Sequence, residues 1–389
     1  MTTLWATIVV LGVLITVHEL GHFFAARSVG VRVDRFSIGF PPRLITFTSI
    51  DGGWLFRLFF YTRNDEGKIA WGPIIEKTIS QYGRTGSNTE YCLAIIPLGG
   101  YVKMAGTIDE SLDDNITHAP DELMSKTPLQ QVWVMSAGVL MNILLAFVLF
   151  TGVAKHTGIP ELSDEPLIAT VVPEMPAEKA GLQVGDKIKS IDGYDVDKWT
   201  DISERIHPNP NSEITVVVER DEREISYEIM TDHQIVARDG KIDTLGAIGI
   251  IQHYSYRPVG FAEAFRTGAV ATGNGFGMII MSLSMLASGD ASIKHIGGPI
   301  MIAQLAGETA RAGWVALLTF MALISCNLAF INILPIPGLD GGHILIILIE
   351  GIIRRKLTIK ARMLIQQLGM AFLLLLTVTV IVNDIGRLF

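Results

Sequence analysis

The chain has 389 residues, is 49% hydrophobic and only 18% charged, and carries a formal net charge of −8. With a mean hydropathy of +0.40, that balance points to an integral membrane protein rather than a soluble one, and neither the net charge nor any RNA-binding motif hints at a nucleic-acid partner. Two cysteines, Cys92 and Cys326, are too few for a disulfide framework.

About 20 apolar residues cross a bilayer, and the run 4–26 is the first that does so. It lacks a basic n-region and a convincing cleavage site, so residues 1–27 are read as a retained transmembrane helix rather than a signal peptide. Within it, "VLITVHELGHFFAAR" (13–27) carries His18, Glu19 and His22. Ionisable groups at membrane depth cost a few kcal/mol on insertion scales. His-Glu-x-x-His on a helix puts both imidazoles on one face, one turn apart, where they can share a metal. Glu19 is then placed to act as a general base on water.

Residues 28–126 are predicted to form a cytoplasmic, membrane-associated β-region. "EYCLAIIPLGGYVKMAG" (90–106) is apolar but broken by Pro97, Gly99 and Gly100, and reads as a β-hairpin or re-entrant loop. Residues 109–123 are acidic and polar and read as a surface loop. The second transmembrane helix falls in 127–155.

Residues 156–255 alternate like β-structure. Ala180, Gly181, Leu182, Gly185, Asp186 and Ile188 resemble the Ala-Gly-Leu-x-x-Gly-Asp-x-Ile pattern of a PDZ domain. The resemblance implies an extracytoplasmic peptide-binding module, with Gly181, Leu182, Gly185 and Asp186 in its binding region; an inert β-rich spacer is the other reading. Residues 256–311 hold a Gly-rich uncharged run, 267–289, assigned to an interfacial amphipathic helix continued by "IGGPIMIAQ". Residues 312–389 hold the third and fourth transmembrane helices. Basic clusters after the first helix (Arg27, Arg32, Arg35, Arg43) and before the last (Arg354, Arg355, Lys356, Lys360, Arg362) put both on the cytoplasmic side, and both termini outside.

A catalytic zinc usually takes three protein ligands. Asp340, in "NILPIPGLDGGHILIILIE" (332–350), is a carboxylate in an apolar stretch broken by Pro335, Pro337, Gly338, Gly341 and Gly342. Broken backbone at membrane depth normally lines a cavity, which makes Asp340 a candidate third ligand. It also fits as the N-cap of the helix that follows, and His343 is a rival ligand.

Taken together, His18-Glu19-x-x-His22 and Asn332-x-x-Pro335-x-Pro337-x-x-Asp340-Gly341-Gly342, on separate spans interrupted by a PDZ-like module, resemble the site-2 protease family of intramembrane zinc metalloproteases. They are most similar to its bacterial regulator of sigma-E protease branch. "RFSIGF" (35–40) and "PLGGYVKMAG" (97–106) match that branch's membrane-associated β-loops. The resemblance implies one Zn2+ per chain held by His18, His22 and Asp340, with Glu19 catalytic. It implies that Asn142 and Asn332 contact an unwound substrate backbone, although either amide could instead bond a neighbouring helix. Pro335, Pro337, Gly99 and Gly100 join them in substrate positioning. Departures are Gly138-Val139 where the family often has Gly-Pro, one PDZ-like module instead of two, and an insertion at 49–87.

The fold class expected is therefore a mainly α-helical polytopic membrane protein with four transmembrane helices, a membrane-associated β-loop region and an inserted β-rich PDZ domain. The expected activity is intramembrane proteolysis of single-span membrane proteins of anti-sigma factor type, or of remnant signal peptides, after a first extracytoplasmic cut. The partners expected are a transmembrane protein substrate and membrane lipid, the oligomeric state a monomer, and the location the bacterial inner membrane with the active site toward the cytoplasm. A membrane-anchored PDZ scaffold with an inactive metal site, or a metal transporter, would share some of these features. Zinc binding also constrains topology: were 267–289 to cross, Asp340 would lie on the outer face, out of reach of His18.

Overall fold

The computed structural model describes residues 2–63, 69–107, 117–238, 241–289 and 297–387. Helix α1 (Thr2–Ser28) leads into strands β1 (Val33–Ile50), β2 (Gly53–Arg63), β3 (Ile69–Ser80) and β4 (Glu90–Met104), a short 3-10 turn (Leu123–Ser125) and helix α2 (Pro128–Thr157). A second compact unit, Ala154–Phe261, is inserted between Met1–Val153 and Ala262–Phe389. The first unit resumes with α5 (Phe261–Ser288), α6 (Pro299–Ala312), α7 (Trp314–Ile333), α8 (Asp340–Ile353) and α9 (Ile359–Gly386).

The inserted unit carries β5 (Ile159–Leu162), β6 (Ile168–Val171), α3 (Pro176–Ala180), β7 (Lys187–Ile191), β8 (Tyr194–Asp195), α4 (Trp199–Ile206), β9 (Glu213–Arg220), β10 (Arg223–Met230), β11 (Asp232–Arg238), β12 (Lys241–Ala247), β13 (Ile250–Gln252) and β14 (Tyr254–Arg257). A sheet in the order β10-β9-β7-β8 and the pairs β11-β12, β13-β6 and β14-β5 organise it. Alternating residues of β9, Ile214, Val216 and Val218, enter a core with Ile188, Ile191, Ile202 and Ile229, the period-2 burial of a strand with one face inward.

In the first unit, strands β3-β2-β1-β4 form one antiparallel sheet. Residues 90–104 pair with β1 in two arms, 90–94 with 43–48 and 100–104 with 33–38, and 90–93 also lie beside 35–38, so the two arms flank that part of β1. Pairing with β1 satisfies the backbone of both arms, and the ladder breaks at 97–99 between them. Of the insertion expected at 49–87, β2 and β3 pair antiparallel with each other, and residues 64–68 lie outside the described residues. Most of the loop expected at 109–123 lies outside the described residues.

Three clusters pack the helices. Phe23 and Ala26 of α1 meet Phe36, Met104, Val134, Ala137 and Ile347. Ala6, Val10 and Leu14 meet Ala306, Leu317 and Phe320, and Ala146 and Phe150 meet Ala322 and Cys326.

Among the described residues, five helices are long and apolar enough to cross a membrane: α1, α2, α5, α7 and α9. The length of α5, 28 residues, exceeds that of the interfacial helix expected, and α6 is a separate helix opened by Pro299 rather than a continuation of it. With 14 residues, α8 rises only about 21 Å, short of the roughly 30 Å hydrocarbon core.

Candidate metal centre

Helix α1 sets His18 and His22 one turn apart and buries both. Their Nε2 atoms lie 3.2 Å apart. Asp340, the first residue of α8, brings Oδ2 to 3.1 Å from His18 Nε2 and 3.3 Å from His22 Nε2. The three are the one His/Cys/Asp/Glu group among the described residues able to hold a metal ion. Leu339, not Asp340, occupies the N-cap position, and no side chain caps the helix there. The carboxylate instead points at the imidazoles, at the end of a helix whose dipole favours an anion.

The residues fit a zinc ion on chemical grounds. The His22 Nδ1–H donates to the Val134 carbonyl at 2.8 Å, which leaves Nε2 with its lone pair facing inward. That lone pair meets a carboxylate oxygen with no hydrogen-bond donor of its own, although two ring nitrogens stand at ion-pair distance. Lone pairs converging this closely repel unless a cation lies between them. Donors bound to one zinc at about 2.0–2.2 Å stand about 3.3–3.6 Å apart in a tetrahedron, slightly wider than the edges found here.

The donors face a cavity of about 640 Å³ whose wall includes Glu19, Val102, Asn332, Leu339 and His343. Glu19 is adjacent to the triad without belonging to it, and the Val102 N–H of β4 stands near its carboxylate. Asn332, at the end of α7, holds its amide 3.4 Å from His18 Nε2 on the cavity wall. His343 lies with Nε2 3.4 Å from Gln366 Nε2 and outside the donor group.

Other expected positions fall elsewhere. Asn142 is fully buried behind His18, its amide 3.1 Å from Nδ1, and does not line the cavity. Pro335 and Pro337 shape the turn between α7 and α8, where Pro337 packs against Gly369 of α9. Gly99 lies against Phe40 and Ile15, and Gly100 against the Ser37 carbonyl, so both admit close packing and neither lines the cavity.

In the inserted unit, Leu182 belongs to the core and Gly181 caps α3 in the left-handed region. Asp186 is buried, bonded to Arg220 at 2.6 and 2.7 Å, and Gly185 precedes it at φ +93°. The four form a turn and its buried anchor, beside a cavity lined by Pro176, Lys179, Ala180 and residues of β10.

Gly138 carries a role the sequence signalled only as a departure from Gly-Pro. A Cβ there would lie 2.5 Å from His22 Nε2 and 2.7 Å from His18 Nε2. The Val134 carbonyl and Val102 N–H are backbone groups, with no signature in residue type.

The model of peptidase family M50 matches residues 6–67 and 76–376. Of the insertion expected at 49–87, the family model leaves only 68–75 unmatched. The chain is 30% identical over 427 residues to the regulator of sigma-W protease RasP of Bacillus subtilis, covering 100% of this chain and 99% of that protein. It is 28% identical over 433 residues to the zinc metalloprotease RasP of Bacillus licheniformis, covering 100% of both.

Proposed function

The chain belongs to peptidase family M50, the site-2 proteases, and is a membrane-bound zinc metalloprotease; from that premise we propose that it cuts peptide bonds inside the membrane, in single-span proteins or remnant signal peptides. The observation that carries this is the meeting of His18, His22 and Asp340 within 3.1–3.3 Å on the wall of a cavity, between helices apolar enough to span.

His18, His22 and Asp340 would hold the zinc. When bound, zinc supplies a Lewis acid that polarises the scissile carbonyl and makes water more acidic. Glu19 takes a proton from the attacking water and delivers it to the leaving amine. The Val102 N–H stands near the Glu19 carboxylate, and Val134 fixes the His22 ring. Asn332 offers an amide that both donates and accepts to a substrate backbone in the cavity.

A helical substrate hides its peptide bonds in its own hydrogen bonds, so it must unwind. An extended segment can then pair with the edge of β4 by strand addition. Anti-sigma factors, after a first extracytoplasmic cut, are the substrate class the sigma-W regulator's name favours. The inserted unit is proposed as a PDZ-type module on the outer side that restricts which substrates pass.

Packing within the first unit supports four crossings. Thr3 touches Gly307 and Arg311 near the start of α7, while Asn332 at the end of α7 reaches His18, so α7 runs parallel to α1. Along α2, Val134 meets His22, Asn142 meets His18, and Leu149 packs with the Val10 cluster, so α2 runs the other way. The end of α2 and the start of α7 therefore share one side of the membrane, and α5 and α6 together make no net crossing. With the basic clusters inside, that side is the exterior of a bacterial inner membrane.

The test is cleavage of a single-span reporter by the purified chain, before and after zinc removal and repletion. Loss and recovery of the cut, located within the reporter's apolar segment, is expected. A cut confined to its soluble part would refute the intramembrane reading.

A further inference from the structure

We propose that Asn142 is a positioning residue for the metal, its amide oxygen holding His18 in the tautomer with hydrogen on Nδ1. This rests on the zinc reading above and concerns which atom faces inward.

His18 Nε2 points at Asp340 Oδ2, at 3.1 Å, and at His22 Nε2, at 3.2 Å. To offer a lone pair there, the neutral ring must carry its hydrogen on Nδ1. That N–H needs an acceptor, because the ring is buried and an unpaired buried donor costs about 1–3 kcal/mol. The group at hydrogen-bond distance from Nδ1 is the Asn142 side-chain amide, placed with Nδ2 at 3.1 Å and with Oδ1 buried without a partner.

An amide presents an oxygen or an NH2 group by half a turn, with no change of shape. With NH2 toward Nδ1, the ring would carry its hydrogen on Nε2 and lose the inward lone pair, and Asn142 Oδ1 is left buried without a donor. With Oδ1 toward Nδ1, the ring is locked for metal binding.

The surroundings fit a fixed amide. Asn142 is 0% exposed, and its backbone carbonyl accepts a hydrogen bond from the Ser325 hydroxyl at 2.8 Å, tying α2 to α7 at this level. Val134, Gly138 and Asn142 are spaced four apart on α2 and form one stripe. The same spacing separates His18 and His22 on α1. Val134 supplies a carbonyl to His22, Gly138 leaves room for both rings, and Asn142 supplies the matching acceptor to His18. Helix α2 thus orients both imidazoles from behind, although it contributes no donor to the metal. In metalloproteins such outer partners typically change metal affinity 10- to 100-fold.

The test measures zinc dissociation constants by chelator competition on the purified full-length chain, with the visible spectrum of the cobalt-substituted form as a second readout. Asn142→Asp keeps an oxygen acceptor and removes the NH2; Asn142→Leu keeps the volume and removes both. Asn142→Asp is expected to bind zinc within a few-fold of wild type with an unchanged cobalt spectrum. Asn142→Leu is expected to bind about 10- to 100-fold more weakly, with an altered spectrum. Wild-type affinity in Asn142→Leu would overturn the proposal, as would an Asn142→Asp as impaired as Asn142→Leu. A wild-type chain without zinc, or an Asp340→Ala variant of unchanged affinity, would instead refute the zinc reading on which it stands.

Discussion

His18 Nε2 and Asp340 Oδ2 lie 3.1 Å apart, although one belongs to the first helix and the other opens the eighth. The contact sets the register of the membrane-embedded unit. It requires α7 to run alongside α1 and to end at the depth of His18, so that the broken turn before α8 delivers a carboxylate to the imidazoles. Removing one partner leaves ligating groups facing one another without the third donor, so the pair works only as part of the set.

Glu19 is the base of the mechanism and not one of the three donors. Glu19→Gln retains the shape and an acceptor near the Val102 N–H. We expect it to keep its zinc and to cut a single-span reporter at least about 100-fold more slowly, the ordinary contribution of general base catalysis. Zinc analysis beside a cleavage assay checks both halves; full activity with zinc retained would remove Glu19 from this role.

Gly138 is the point of contact between α2 and the two rings. In Gly138→Ala the new methyl meets ring nitrogens at 2.5 and 2.7 Å, and overpacking of this kind costs about 1–3 kcal/mol. We expect zinc affinity to fall roughly tenfold, whereas Gly152→Ala, in open space on the same helix, leaves it unchanged. Equal chelator-competition curves for the two variants would show that the close approach does not matter.

In the inserted unit, burial alone would raise the Asp186 carboxyl. The hydrogen bonds from Arg220 and from the Gln183 N–H outweigh burial and hold it below the ordinary carboxylate range. A carboxyl depressed in the folded state stabilises above its unfolded value, near 3.9, and the stabilisation is lost as pH falls through the folded value. The contribution is therefore complete at neutral pH and fades only in strong acid. Asp186→Asn is expected to cost about 2 kcal/mol at pH 7. Hydrogen exchange across β7 and β9 in the full chain should accelerate in the variant; identical exchange would show that the pair contributes nothing.

Topology follows from the same packing. Reporters fused after Gly158 and after Gly313 are expected on the same, outer side, and one after Arg354 on the cytoplasmic side. Opposite signals at Gly158 and Gly313 would require an odd number of crossings through α5 and α6, which the approach of Asp340 to His18 does not permit.

The site was legible in the sequence to the extent that it rests on side chains in costly places. His18, Glu19, His22 and Asp340 stand out because ionisable groups are rare in apolar runs. The long-range sheet was harder to read. β1 pairs with β4 across an intervening hairpin; Pro97, Gly99 and Gly100 mark the break between the two arms of 90–104, but not that both arms would lie against residues 35–38 of β1. Nor does residue type reveal the Val134 carbonyl or the Val102 N–H. In the inserted unit, the Gly181-Leu182 and Gly185-Asp186 pattern marked a turn and its buried anchor, since glycine at positive φ and a paired aspartate leave the same trace whether or not a ligand is bound. Helix α5 was underestimated because its glycines lower its hydropathy without shortening it.

The central claim is that His18, His22 and Asp340 together hold one zinc ion. The most direct measurement is the zinc content of the purified full-length chain beside that of Asp340→Ala. The account predicts stoichiometric zinc in the wild type and little or none in the variant. Equal zinc in both, or none in the wild type, would contradict it.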